Sequence, residues 1–188
     1  LFHKRISLRK IEMTEKIIIA GSGGQGIMLL GKILATAAMK ENKFVTCLPS
    51  YGAEVRGGTA HCTVIISDKE IGSPYIDKAD TLVIMNKPSL EKFKNRLKNK
   101  GCLIVNSSLA GGLTNKNARV FGYRFSEIAI KLGNIKVANM VALGALAGKK
   151  DVVHLKSIHE AIEEIAPQTK KGLIAINKIA LEEGVKLK

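Results

Sequence analysis

Residues 16–32 read KIIIAGSGGQGIMLLGK: a short apolar run, four glycines within six positions, then apolar residues at helical spacing. The run 17–20 is continuously apolar rather than alternating, which suits a strand buried on both faces of a parallel sheet. Ile27, Leu30, Ile33, Leu34 and Ala37 share one face of a helix expected over 27–39. Between strand and helix, Gly21, Gly23 and Gly26 fit the spacing G-x-G-x-x-G. Glycine permits the tight turn and lets backbone approach a phosphate, and the helix start offers N–H groups to an anion.

Working outward, the spacing predicts a second strand over 44–48, closed by Pro49, and then the polar, glycine-rich run SYGAEVRGGTA at 50–60. Segments 62–66 and 70–71 flank SDK and read as a hairpin. Further buried strands are expected at 81–85, 102–105 and 118–123, with a helix over 88–99 that has Pro88 in its first turn. From residue 126 the chain turns helical, with helices expected at 127–132, 139–147, 155–165 and 170–181. Strands alternating with helices make the fold α/β. The expected form is a Rossmann-like three-layer sandwich with a mostly parallel sheet, an inserted hairpin and a helical C-terminal tail. Residues 13–188 read as one domain, and 1–12 as a basic tail, a tag remnant or an upstream start.

Bulk properties narrow the function classes. At 188 residues and 46% apolar content a full core is within reach, and eight aromatics without Trp make it aliphatic. No apolar run approaches the roughly 18 residues of a membrane span, and the basic start lacks the apolar segment of a secretory signal. A cytoplasmic protein is expected. The three cysteines, Cys47, Cys62 and Cys102, lack the spacing of a zinc knuckle or ferredoxin-type cluster. The net charge of +14 would attract polyanions. Its basic residues are scattered without interleaved aromatics, so a nucleic-acid-binding module is a minor alternative.

The glycine turn lacks the second half of a nicotinamide site. Such a site wants an acid about 20 residues on, at the end of the second strand, for the ribose hydroxyls. Cys47 and Leu48 stand there, Glu54 falls in the following loop, and no arginine suggests a 2′-phosphate. This weakens a stand-alone NAD(P)-dependent oxidoreductase. It leaves a tight turn with an unused anion pocket, or a turn facing a cofactor-bearing partner. The second glycine-rich loop gathers Ser50, Tyr51, Glu54, Arg56 and Thr59 directly after a strand, where open α/β sheets collect ligands. Arg56 could clamp a carboxylate or phosphate through a bidentate fork, or pair with Glu54 inside the loop.

Three segments carry a resemblance: GSGGQGIMLLGKILA at 21–35, PSYGAEVRGGTAHCTVIISDKEIGSP at 49–74 and NMVALGALAG at 139–148. Together they resemble the gamma subunit, or gamma domain, of 2-oxoacid:ferredoxin oxidoreductases. LPSYG, NKPSLEKF at 86–93 and IVNSS at 104–108 are more similar to the 2-oxoglutarate type than to the pyruvate type. Pyruvate-, branched-chain- and indolepyruvate-type gamma subunits are the nearest variants. The resemblance implies an enzyme spread over several chains, which decarboxylates a 2-oxoacid on thiamine diphosphate with Mg²⁺. Electrons pass through iron–sulfur clusters to ferredoxin, and the acyl group passes to CoA. Thiamine and clusters are implied on alpha, beta and delta subunits, with no catalytic or metal-binding residue on this chain. Its implied role is packing beside the catalytic core and closing the CoA side. On that reading Gly23, Gly24, Gln25 and Gly26 offer N–H groups to an anion, and Ser50, Tyr51, Arg56 and Thr59 face a partner chain or CoA phosphates. Asn86, Ser107 and Asn139 read more simply as capping and turn residues. His61, beside the loop, reads as a satisfied structural histidine.

Overall fold

β-Branched and aliphatic runs form the sheet, and the glycine turn delivers the chain from its first strand to its first helix. A computed structural model describes residues 12–50, 59–111, 117–166 and 172–187. Strand β1 (Thr14–Ser22) leads through the turn into helix α1 (Ile27–Lys40), then β2 (Phe44–Ser50) and β3 (Thr59–Ser67). β4 (Ala79–Ile84), α2 (Lys87–Phe93), β5 (Leu97–Asn106), α3 (Ser107–Ala110) and β6 (Arg119–Tyr123) follow. Helices α4 (Phe125–Lys131), α5 (Ala138–Lys149), α6 (Leu155–Ile165) and α7 (Gly172–Val185) complete the described chain. Most of the expected tail at 1–12 lies outside the described residues.

The six strands form one sheet in the order β2-β3-β1-β4-β5-β6. β1, β4, β5 and β6 pair in parallel, while β3 runs antiparallel to both β1 and β2. Five of the six strands therefore point the same way, and β3 alone is reversed. The antiparallel insertion is present, but its partners are β2 and β1. Residues 70–71 form no strand, so the expected hairpin across SDK is replaced by pairing across 50–59. β2 also continues through Pro49 to Ser50. As an edge strand it tolerates a residue without an N–H.

Two further boundaries differ from expectation. Helix α2 stops at Phe93, and a 3₁₀ turn (Lys94–Arg96) leads straight into β5. Ala79 pairs with Leu97 but Thr81 with Cys102, so two steps along β4 span five along β5. Residues 98–101 absorb the difference, with Lys100 at φ 61°. The run Lys98, Asn99, Lys100 followed by Gly101 suits this exposed bulge better than a helix end.

Alternate side chains divide the core between the faces. Ile17, Ile19, Val64, Ile66 and Ile104 lie under α1, α4 and α5, with α6 packed on α1 and α7 on α5. Ile18, Ala20, Ile65, Leu82 and Val105 lie under Leu90 and Phe93 of α2 and Ala110 of α3. A fully buried isoleucine is worth about 1.5–3 kcal/mol, so the two faces carry most of the stability. The layers are α/β/α, with α6 and α7 as an outer helical layer. No helix among the described residues is long and apolar enough to cross a membrane.

Candidate functional site

The carboxyl ends of the parallel strands meet at one edge, and the sequence motifs converge there. β1 and β4 are neighbours whose following helices lie on opposite faces, which makes the crevice between them the switch point of the sheet. The Met85 N–H donates to the Ala20 carbonyl at 2.8 Å and holds the two strand ends together.

The glycine turn is braced from within and from two other elements. Gln25 Oε1 accepts the Ser22 N–H at 2.7 Å, while the Gln25 N–H donates to the Ser22 carbonyl at 3.2 Å. Gln25 is thus committed to the turn on both its side chain and its amide. Gly24 and Gly26 adopt left-handed backbone, φ 86° and 71°. Around Gly23 and Gly24 an added Cβ would meet nothing within 4 Å, so the turn is open on that side. Gly26 is closed in: a Cβ there would lie 2.2 Å from Asn139 Nδ2. That amide donates to the Gly26 carbonyl at 3.2 Å. Asn86 donates to Ser22 Oγ.

Each sequence candidate now has a position. Asn86 is the N-cap of α2, with Oδ1 accepting the Ser89 N–H at 3.0 Å, so the capping reading holds for it and gains the bond to Ser22. Ser107 opens α3 without a side-chain cap from its neighbour Asn106. Asn139 is not a cap. It lies 3% exposed on α5 and ties that helix to the start of α1. Ser50 ends β2 opposite His61, and Thr59 starts β3 opposite Ser22. Thr59 Oγ1 accepts from Lys92 Nζ at 2.9 Å. Tyr51, Glu54 and Arg56 lie outside the described residues.

One cavity opens at this edge, and a second lies beside β2 and β3. The first, of about 150 Å³, sits over the turn, lined by Gly24, Gln25, Met85, Ser126 and Lys136 among others. The other, of about 320 Å³, is lined by Leu48, Ser50, His61, Tyr75 and Arg96 among others. His61 lies 4.9 Å from Phe93, centroid to centroid, and its buried Nδ1 has no partner among the described residues. Among the described residues, then, nothing satisfies that nitrogen of the histidine expected to be structural. Burial first, then Lys92 and Arg96, hold its pKa below the ordinary value, so the ring is neutral at neutral pH and offers either an acceptor or a donor.

Residues the sequence reading missed include Asn106, fully buried at the end of β5, which donates to Ser126 Oγ at 2.9 Å. Its Oδ1 is without a partner among the described residues, and a polar residue ending a buried apolar strand is the signal that marks it. Lys92 and Arg96, within the helix expected over 88–99, lie against Phe93, with Lys92 Nζ 5.6 Å and Arg96 Cζ 5.8 Å from its ring centroid, and Arg96 also lines the second cavity.

The donor set does not fit a metal or an iron–sulfur cluster. Cys47 and Cys62 lie on β2 and β3, while Cys102 lies on β5, beyond β1 and β4. Three strand spacings of about 4.8 Å separate it from Cys62. Among the described residues no group of three or more His, Cys, Asp or Glu could hold a metal ion. The nicotinamide anchor is also displaced. β3 stands between β1 and β2, so the end of β2 lies about two strand spacings from the glycine turn.

Fold and site together define an open α/β domain with dinucleotide-type turn geometry, in which the end of the second strand stands away from the turn. A family model described as pyruvate ferredoxin/flavodoxin oxidoreductase matches residues 16–187. The chain belongs to this family, and within it to the gamma-subunit kind. It is 35% identical over 176 residues to the 2-oxoglutarate synthase subunit KorC of Methanocaldococcus jannaschii, covering 90% of this chain and 94% of that one. It is 40% identical over 131 residues to the ketoisovalerate oxidoreductase subunit VorA of Methanothermobacter thermautotrophicus, and spans only 27% of VorA's length. A keto/oxoacid ferredoxin oxidoreductase gamma subunit from Geobacter sulfurreducens superposes with a TM-score of 0.80 at 30% identity, covering 92% of this chain and 96% of that one. A 2-oxoglutarate:ferredoxin oxidoreductase from Magnetococcus marinus shares the fold, with a TM-score of 0.84 at 22% identity, over 93% of this chain and 31% of that chain.

Proposed function

We propose that this chain acts as the gamma subunit of a multisubunit 2-oxoacid:ferredoxin oxidoreductase whose substrate is 2-oxoglutarate. The reaction converts 2-oxoglutarate, CoA and two oxidised ferredoxins into succinyl-CoA, CO₂, two reduced ferredoxins and a proton. The supporting observation is the near full-length match to KorC, joined to the site-like segments LPSYG and NKPSLEKF. Thiamine diphosphate, Mg²⁺ and clusters belong to the alpha, beta and delta subunits on this reading, in keeping with the dispersed thiols here. The shorter but slightly more identical match to VorA favours a second reading, a branched-chain 2-oxoacid.

The chain's contribution is to bind and orient. The open turn at Gly23 and Gly24 and the first-turn N–H groups of α1 suit an anionic group such as a CoA phosphate. Thr59 and Lys92 supply a hydroxyl and positive charge on the other side of β1. The surrounding edge packs against the catalytic subunits and excludes water from the acyl-transfer step.

The test is purification of the chain from its own cells without oxygen. Co-eluting subunits are identified, and viologen reduction is assayed with CoA and each of several 2-oxoacids. Co-elution with thiamine- and cluster-bearing chains, and turnover on 2-oxoglutarate, is the expected result. Turnover on a branched-chain acid instead would transfer the assignment to the second reading, and a lone chain of about 20 kDa would overturn both.

A further inference from the structure

Cys47 on β2 and Cys62 on β3 bring their sulfurs to 3.4 Å. The register explains the contact. Cys47 stands opposite Val64 and Cys62 opposite Pro49, so the two cysteines are diagonal neighbours on one face of an antiparallel pair. That face lies under α1, where Gly31 leaves room: a Cβ at Gly31 would sit 2.6 Å from Cys62 Sγ. Cys62 is 1% exposed, whereas Cys47 is half-buried on the edge strand. A disulfide needs sulfurs at about 2.0 Å, so closure asks for an approach of about 1.4 Å, with the strands shifting to bring this diagonal pair together.

We propose that Cys47 and Cys62 form an oxidisable dithiol that converts to a cross-strand disulfide with hydrogen peroxide, fastening together the two strands that flank residues 51–58. The roles follow from exposure and the shared hydrogen bond. The two thiols share one hydrogen bond in which either sulfur can donate; with Cys62 as donor the bond lowers the Cys47 pKa, while that bond and burial raise that of Cys62. The accessible sulfur is therefore the nucleophile and the enclosed one the resolving thiol. Cys47 thiolate attacks a peroxide oxygen and the O–O bond breaks. The departing hydroxide takes a proton from solvent, leaving Cys47 as a sulfenic acid. Cys62 sulfur then attacks Cys47 sulfur, the S–O bond breaks, and the Cys62 proton leaves with the hydroxyl as water. Two thiols lose two electrons, and one peroxide becomes two waters.

Ordinary core cysteines show none of this asymmetry. Cys102 is buried without a thiol neighbour, and burial raises its pKa. It serves as the internal control. The inference stands on sulfur geometry and does not depend on the substrate or the complex.

The test treats the full chain, alone and in the complex purified without oxygen, with equimolar hydrogen peroxide. Remaining thiols are blocked, the protein is digested without reduction, and peptides are identified by mass spectrometry. The expected product is one cross-linked pair containing Cys47 and Cys62, with Cys102 blocked only after unfolding and the link reversed by dithiothreitol. Cys62→Ser is expected to replace the link by a dimedone-trappable sulfenic acid at Cys47, and Cys102→Ser to leave the yield unchanged. No reaction with peroxide, over-oxidation of Cys47 without a link, or a link that appears only in denaturant and includes Cys102 would each overturn the proposal. The wild-type measurement needs no variant, so a misfolded mutant does not weaken it.

Discussion

Asn139 donates its side-chain N–H to the Gly26 carbonyl at 3.2 Å, across 113 residues of sequence. That carbonyl also accepts the first intrahelical bond of α1 from Leu30 N at 3.0 Å. The two glycine-containing motifs 21–35 and 139–148 are thus one physical unit, in which a helix late in the chain fixes the start of the first helix and with it the turn.

Asn139→Ala should cost about 1–2 kcal/mol, the loss of one buried hydrogen bond. Gly26→Ala should cost more, because the new Cβ meets the Asn139 amide at 2.2 Å and the residue must hold φ 71°. The double variant separates the two causes. Removing Asn139 relieves the clash but not the left-handed strain, so its loss should fall short of the sum of the singles. Urea unfolding of all four proteins measures this, and strict additivity would show that the contact is not the source of the effect.

Gly144 and Gly184 let α5 and α7 approach backbone to backbone. A Cβ on Gly144 would lie 2.0 Å from the Leu181 carbonyl, and one on Gly184 2.1 Å from that of Val141. No side chain can swing aside there, so the helices must separate. Gly144→Ala is expected to destabilise by roughly 3 kcal/mol, at the upper end of overpacking costs. Hydrogen exchange should show α7 losing protection first, with the sheet retaining it.

How much of this could be read in advance depends on the range of the interaction. β1 was legible as a short continuous apolar run, and α1 and α6 because their apolar residues repeat at the helical period. The insertion of β3 between β1 and β2 was not, since 62–66 alternates only in part and nothing local says which neighbour it pairs with. SDK therefore looked like a turn between strands, although residues 70–71 pair with nothing in the sheet. The bulge at 98–101 was hidden inside a run of lysines and asparagines that also suits a helix end. At the site, the turn and Asn86 were legible from local motifs. Asn139 was misread as a cap because its acceptor lies more than a hundred residues away, and the contact between Cys47 and Cys62 depends on a register that no spacing reveals.

Glu41 links the end of α1 to the start of α6, and its acid titration should register in stability. Burial works to raise its pKa. The His154 backbone N–H, the Ser157 hydroxyl and Lys43 outweigh burial and hold it below the ordinary 4.5. The His154 N–H is 2.6 Å from Oε1. Since the folded pKa is the lower one, the unfolded chain takes up the proton first as pH falls. The stabilisation is complete above the ordinary carboxylate range and is lost as pH drops from about 5 through the folded pKa. Glu41→Gln should thus be less stable than wild type at pH 7, with the gap closing toward pH 3. A gap that stays constant across that range would mean that the charge contributes nothing.

Lys92 offers the sharpest test of the proposed CoA-side role, because it lies outside both cores. Its ammonium donates to Thr59 Oγ1 at 2.9 Å, beside the second glycine-rich loop and opposite Ser22 of the first. An exposed lysine in that position contributes little to folding, so Lys92→Ala should leave the thermal midpoint within a degree or two. If the loops face CoA phosphates, the same change in the complete complex should raise the KM for CoA roughly tenfold, the loss of one charge-assisted hydrogen bond. The KM for the 2-oxoacid and kcat should hold within twofold. Arg56→Ala should act in the same direction, and raised salt should weaken CoA in wild type more than in the variant. A KM for CoA unchanged in both variants would remove the loops from the CoA side and leave them as contacts to the neighbouring subunits.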